Sequence, residues 1–277
     1  MGARFLFLAS LLGLASPSPE LRLPQDSPRS LTAEEAQLVQ GLREQGVRLD
    51  PARKLCSIQV EVQVRDDLLE YLLVGSGGAG HESAFLTTVQ PSVLNVALLA
   101  LGVEPGKNAS WSVKDPPPSE EELRDGVSPY EVRPPSGDAL YLYVAWREGE
   151  DVYLYRVEDL VRNLATGRSM RRHAWVYLGS RMLPASDGSG EQFAADLYQN
   201  LINIAFFSDG FTLLTGALGE CVEQTIWMAN AWLVPERGSR VELIFSREKL
   251  ESLAPEHAAE LPVVAAASST REVQDER

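Results

Sequence analysis

The densest group of side chains with chemical potential is His81-Glu82-Ser83, which follows the run Gly75-Ser-Gly-Gly-Ala-Gly80. Imidazole, carboxylate and hydroxyl are the base, orienter and nucleophile of a hydrolase relay. On an extended segment, however, His81 and Ser83 project from one face and Glu82 from the other. A relay therefore needs a third group from elsewhere, and Glu70 on the preceding strand is the candidate. The weak catalytic candidates are thus His81, Ser83 and Glu70. The less demanding readings make His81, Glu82 and Ser83 a ligand or partner contact, or a polar cluster that satisfies a turn.

Other constellations carry less. Zinc needs three or four converging ligands, and the remaining histidines, His173 and His257, share no motif with His81; no metal site and no cofactor site is expected. The glycine run resembles a phosphate cradle in composition only. A strand follows it, not a helix N-terminus, so the amide geometry and dipole of a nucleotide loop are missing. A flexible hairpin connection is expected there. Arg168, Arg171 and Arg172 form the basic cluster, a solvated face or an anion contact. Tyr141, Tyr143, Trp146, Tyr153 and Tyr155 make an aromatic stripe suited to core and interface. Asn108-Ala-Ser110 fits a glycosylation sequon. Cys56 and Cys221 are the two cysteines, a possible disulfide in an exported protein and two buried thiols in a cytosolic one.

The formal net charge is -14 and the pI about 4.7. That balance disfavours nucleic acid and anionic membrane surfaces, where Lys and Arg must neutralise phosphates. Arg4, an apolar run of roughly ten residues and then small residues with Pro17 have the form of a secretion signal. The run falls short of the about 20 residues that span a bilayer. The expectation is a signal peptide over residues 1–18 and a soluble exported protein, periplasmic, cell-surface or extracellular, with no transmembrane segment after signal removal.

The elements that must position these residues follow from periodicity. Residues 19–54 read as an approach segment whose short helix is capped by Ser30 or Thr32 with Glu34 or Glu35 in its first turn. Ile58, Val60, Val62 and Val64 alternate with polar residues, marking a strand. Arg65-Asp66-Asp67 reads as a tight turn into a hairpin partner over 68–74, with a third strand, 81–87, returning antiparallel. Pro91 begins a helix apolar on nearly all faces, expected to be buried almost all round. Residues 115–137 are a Pro- and acid-rich excursion, and residues 251–277 a disordered tail. Strands without alternating β-α-β units predict an α+β fold, a mainly antiparallel sheet with one buried helix and a few short helices, forming one domain over residues 55–250.

The order Glu70-Tyr-Leu-Leu-Val, a glycine loop, Gly80-His-Glu-Ser83 and an apolar helix ending Leu99-Ala-Leu-Gly-Val-Glu-Pro-Gly106 resembles the YdjY-domain family. Trp175-Val-Tyr-Leu-Gly-Ser180, Phe193-Ala-Ala-Asp196 and Leu201-Ile-Asn-Ile resemble its second half, so that roughly residues 55–247 are covered. Tyr198-Gln199-Asn200 departs from that pattern, where a glycine and an acidic residue are expected. The resemblance implies an exported protein of a largely uncharacterised family and supplies no catalytic residue; relatives with fused ferredoxin-type clusters have cysteines that this chain lacks. The functional expectation is a non-catalytic binding or accessory module for an unknown protein or small ligand. The alternatives are an envelope hydrolase built on His81, Glu82 and Ser83, and an accessory to an extracytoplasmic redox system.

Overall fold

The structure, a computed structural model, describes residues 31–265. The expected signal peptide, residues 1–18, lies outside the described residues. Among those described, no helix is long and apolar enough to cross a membrane.

Eight strands close into a barrel: β1 (Leu55–Val62), β2 (Tyr71–Gly75), β3 (Ser83–Thr87), β4 (Ala139–Glu148), β5 (Trp175–Tyr177), β6 (Asn200–Asn203), β7 (Leu214–Thr215) and β8 (Arg240–Ser246). Their order around the barrel is β1-β8-β4-β5-β7-β6-β2-β3, and β3 pairs back onto β1 through Glu61↔Leu86 and Val62↔Phe85. The β2/β3 and β6/β7 pairs are parallel, and the other pairs of the ring are antiparallel. Closure removes the free edges that an open sheet would expose.

The fold is therefore mostly β, which corrects the α+β expectation of a mainly antiparallel open sheet with one buried helix. Two local readings fail with it. The segment after Asp67 is no hairpin partner of β1, because β2 pairs with β6 and β3 instead. Strand β3 returns parallel to β2, not antiparallel. Parallel neighbours usually need a crossover of about a dozen residues or more. Residues 76–82 make this return alone, because missing side chains let the chain lie close: a Cβ on Gly78 would meet the Val74 Cβ at 2.8 Å and the Gln199 carbonyl oxygen at 2.5 Å.

Helices are few. In α1 (Ala33–Glu44), Thr32 accepts from the Glu35 amide and the Glu35 side chain accepts from the Thr32 amide, the reciprocal cap expected from the sequence. The helix α2 (Pro91–Ala100) buries Pro91, Leu94, Ala97 and Leu98, but Val96 and Leu99 are 45% and 46% exposed. It packs by one face only, so burial almost all round is also corrected. The acidic excursion is a two-stranded arm, Ser110–Val113 paired with Tyr130–Arg133, tipped by the short helix Glu120–Arg124.

Alternation along the strands separates two apolar layers. Cys56, Ile58, Val60 and Val62 of β1 join Leu140, Leu142, Val144 and Trp146 of β4 and Val241, Leu243 and Phe245 of β8 in the barrel interior. The opposite face contributes Leu55, Tyr143, Ala145 and Ile244, which pack with Leu261 and, more loosely, Leu250 and Leu253. Residues 251–277 read as a disordered tail from the sequence, and residues 266–277 of it lie outside the described residues. Through residue 265 the segment instead covers the outside of the barrel, forming the helix Pro255–Ala259 and a parallel bridge Arg147↔Val263. Its apolar residues are sparse but spaced to fit one patch, which a composition argument does not register.

Candidate functional site

Residues Gly80–Glu82 form a 3-10 turn that enters β3. The turn leaves the His81 side chain 79% exposed, with Nε2 3.6 Å from Glu82 Oε1. Glu70 joins them from the start of β2, its amide donating to the Glu82 carbonyl at 3.0 Å. Burial, then the charge of Glu82 and a hydrogen bond with it, push the Glu70 carboxyl above its ordinary value, against an opposing pull from His81. Ser83 goes elsewhere. It is fully buried in the barrel wall, and its hydroxyl donates to the Phe85 carbonyl at 2.8 Å. Glu70, His81 and Glu82 are thus brought together, while Ser83 is withdrawn from them; a nucleophile must present its oxygen to solvent and to a base.

Aromatic side chains continue this face. Tyr71 stacks on Phe207 at 5.2 Å, and Tyr198 on Phe211 at 4.4 Å with the Arg181 guanidinium over the second ring. Burial first, then the charges of Glu70, Glu82 and Asp209, push the Tyr71 hydroxyl up to about 12. The phenol stays neutral, and three carboxylates lie near it. The four rings and Asn203 line a cavity of about 30 Å³, and the buried Asn203 Oδ1 has no hydrogen-bond partner.

The glycine run is clasped by hydrogen bonds, and because β2 and β3 run parallel it is not the expected hairpin connection. The Gly75 amide donates to the Gln199 carbonyl at 2.7 Å, the Gly77 amide to Gln199 Oε1 at 2.8 Å and the Ala79 amide to Asn200 Oδ1 at 3.1 Å. Gln199 holds φ 55, a left-handed conformation that favours glycine. Tyr198-Gln199-Asn200 therefore forms a turn whose Gln199 and Asn200 side chains hold the run in place.

A second polar constellation escaped the sequence reading. Glu242 of β8, 4% exposed, takes hydrogen bonds at Oε1 from the Ser57 hydroxyl at 2.5 Å and from His257 Nε2 at 2.7 Å. Burial alone would raise its carboxyl. The bonds from His257 and Ser57 and the charges of His257 and Arg48 outweigh that, holding it below the usual carboxylate range. The carboxylate sits between hydroxyl and imidazole, which is not the order of a Ser–His–acid relay, and the Ser57 hydroxyl is buried, not presented to solvent. Its one sequence signal was an acid inside the apolar run Val241–Phe245.

The remaining candidates are structural. Arg171 grips Glu220 through two nitrogens (2.9 and 2.7 Å), and Arg172 does the same to Asp159 (3.1 and 2.7 Å), which commits two members of the basic cluster. Trp146, Tyr153 and Tyr155 stack on one another. Cys56 and Cys221 are both free and buried, so the disulfide is not formed. Cys56 lies in β1 opposite Phe245 and Leu49, whereas Cys221 sits in the turn Gly219–Val222 with its sulfur against Gly216. Among the described residues no group of three or more His, Cys, Asp or Glu is placed to hold a metal ion.

The family model described as the YdjY domain matches residues 47–246. No curated protein and no solved structure matches the chain.

Proposed function

We propose, from the premise that this chain belongs to the YdjY domain family, that it is an exported binding or accessory module without catalytic activity. Its contact face is the rim formed by Glu70, His81 and Glu82, backed by the Tyr71–Phe207 stack. The observation that carries this reading is the separation of Ser83 from His81: the hydroxyl is spent on a main-chain carbonyl inside the wall, and the imidazole stands in solvent. What remains on the rim is an exposed imidazole beside two half-buried carboxylates at the mouth of a closed barrel, an arrangement that serves recognition. The excess of carboxylates around Tyr71, together with the net charge of -14, favours a partner that presents cationic groups.

The test uses native protein recovered from the exported fraction. Affinity capture with wild type and with a His81→Ala/Glu82→Ala double variant should recover a partner or small ligand with the first and lose it with the second, at unchanged melting temperature. Turnover of any substrate in a broad hydrolase panel that disappears in Ser83→Ala would overturn the non-catalytic reading. Mass spectrometry finding an intact Met1 terminus on the native protein would overturn export.

A further inference from the structure

Strand β1 changes its neighbour partway along. Leu55–Ile58 pair with Val47–Asp50, and Glu61–Val62 pair with Leu86 and Phe85 of β3. Between the two partners, Gln59 and Val60 have strand neighbours on the β8 side alone. The Gln59 carbonyl is met there by the Thr87 hydroxyl at 3.4 Å. The fork opens a cleft of about 410 Å³, within the range of about 300–1,000 Å³ typical of small-molecule sites. It lies beyond the C-terminal end of β3, whereas His81 and Glu82 precede that strand.

The charges lining the cleft are Arg43, Arg48, Glu242 and Glu260, two of each sign. Glu242 is the anchored member, fixed by Ser57 within the cleft and by His257 from the segment that covers β8. Arg48 bonds to Glu260, and Arg43 lies 3.6 Å from the same carboxylate. Arg48 is also near enough for its charge to act on Glu242. A guanidinium with unspent N–H groups is suited to a carboxylate, and a held carboxylate is suited to an ammonium. A simple anion entering here meets Glu242 and Glu260 on a chain that is already acidic. A simple cation meets both arginines. A molecule that carries one charge of each sign satisfies both walls.

The geometry points to a binding site for a small zwitterion bearing a primary ammonium and a carboxylate, the ammonium at Glu242 and the carboxylate at Arg48 and Arg43. This site is separate from the His81 rim and does not rest on it.

Isothermal titration calorimetry of the full chain provides the test. The probes are glycine, L-leucine, 4-aminobutyrate and 6-aminohexanoate, which vary the spacing of the two charges, each compared with its N-acetyl and carboxamide forms. Saturable binding is expected from at least one zwitterion, weakened at least tenfold by capping either end. Glu242→Gln should abolish it. Arg43→Gln, at a largely exposed position that does not threaten folding, should weaken it at least threefold and decides the matter if Glu242→Gln does not fold. His81→Ala/Glu82→Ala should bind the zwitterion as wild type does, so loss of the rim function and loss of this site are read separately. No saturable binding by any of the four zwitterions, or binding indifferent to capping or to Arg43→Gln, overturns the proposal.

Discussion

His257 Nε2 lies 2.7 Å from Glu242 Oε1, and this contact fastens the last described segment of the chain to the strand that completes the barrel. Removing the imidazole leaves a buried carboxylate with Ser57 as its remaining hydrogen-bond donor. Breaking a buried pair from one side costs about 3 kcal/mol. His257→Ala should therefore lower stability by about that amount in chemical denaturation, and Glu242→Gln by less, since it removes the charge that needs a partner.

The same carboxylate sets an acid limit. Its folded value lies below its unfolded one, so its contribution is complete above the unfolded value, about 4.3, and is lost as pH falls through the folded one. Melting temperature should drop more steeply below about pH 4.5 in wild type than in Glu242→Gln. Parallel slopes for the two proteins would refute this.

Ser83 and His81 separate two kinds of role. Ser83→Ala deletes the buried hydrogen bond from its hydroxyl to the Phe85 carbonyl, a loss of about 1 kcal/mol. His81→Ala should leave the melting temperature unchanged, because its side chain is solvated. Thermal denaturation of the two variants side by side distinguishes them.

Glycine substitutions should move stability in opposite directions at two sites. A Cβ at Gly78 meets main chain and the Val74 side chain at under 3 Å, so Gly78→Ala should cost at least about 2 kcal/mol. Gly41 lies inside α1 with nothing within 4 Å of its Cβ position, so Gly41→Ala should add about 0.5–1 kcal/mol through helix propensity. Denaturant midpoints measure both.

Burial pushes the Cys221 thiol up to about 12 and the Cys56 thiol up as well. Both should resist a thiol reagent at pH 8 in the native protein and react on unfolding without prior reduction. Absence of titratable thiols in the unfolded, unreduced protein would restore the disulfide.

What could be read from the sequence was what is local. The Thr32–Glu35 cap and the alternation of β1 depend on neighbours in the chain, and both are present. Closure depends on Val62 meeting Phe85 and on Ile202 running parallel to Leu214, and a period of two does not say which strand lies alongside. The rim residues stood out because they adjoin in sequence. Ser57, Glu242 and His257 come from three separate segments, and apart from the acid inside the apolar run Val241–Phe245 none of them stands out locally. Chain-distant pairing hid both the barrel and the cleft from the same reading.

Strand β8 lies between β1 and β4, so the last of the eight barrel strands to leave the ribosome fills the gap between the first and the fourth. A nascent chain that ends before Arg240 exposes two long apolar strand edges with nothing to pair them, and such edges template association between molecules. Prematurely terminated chains should therefore accumulate as aggregates, not as soluble fragments. Productive folding must wait until translation has passed Ser246, and the outer patch at Tyr143 and Ile244 stays open until the residues around Leu261 have followed.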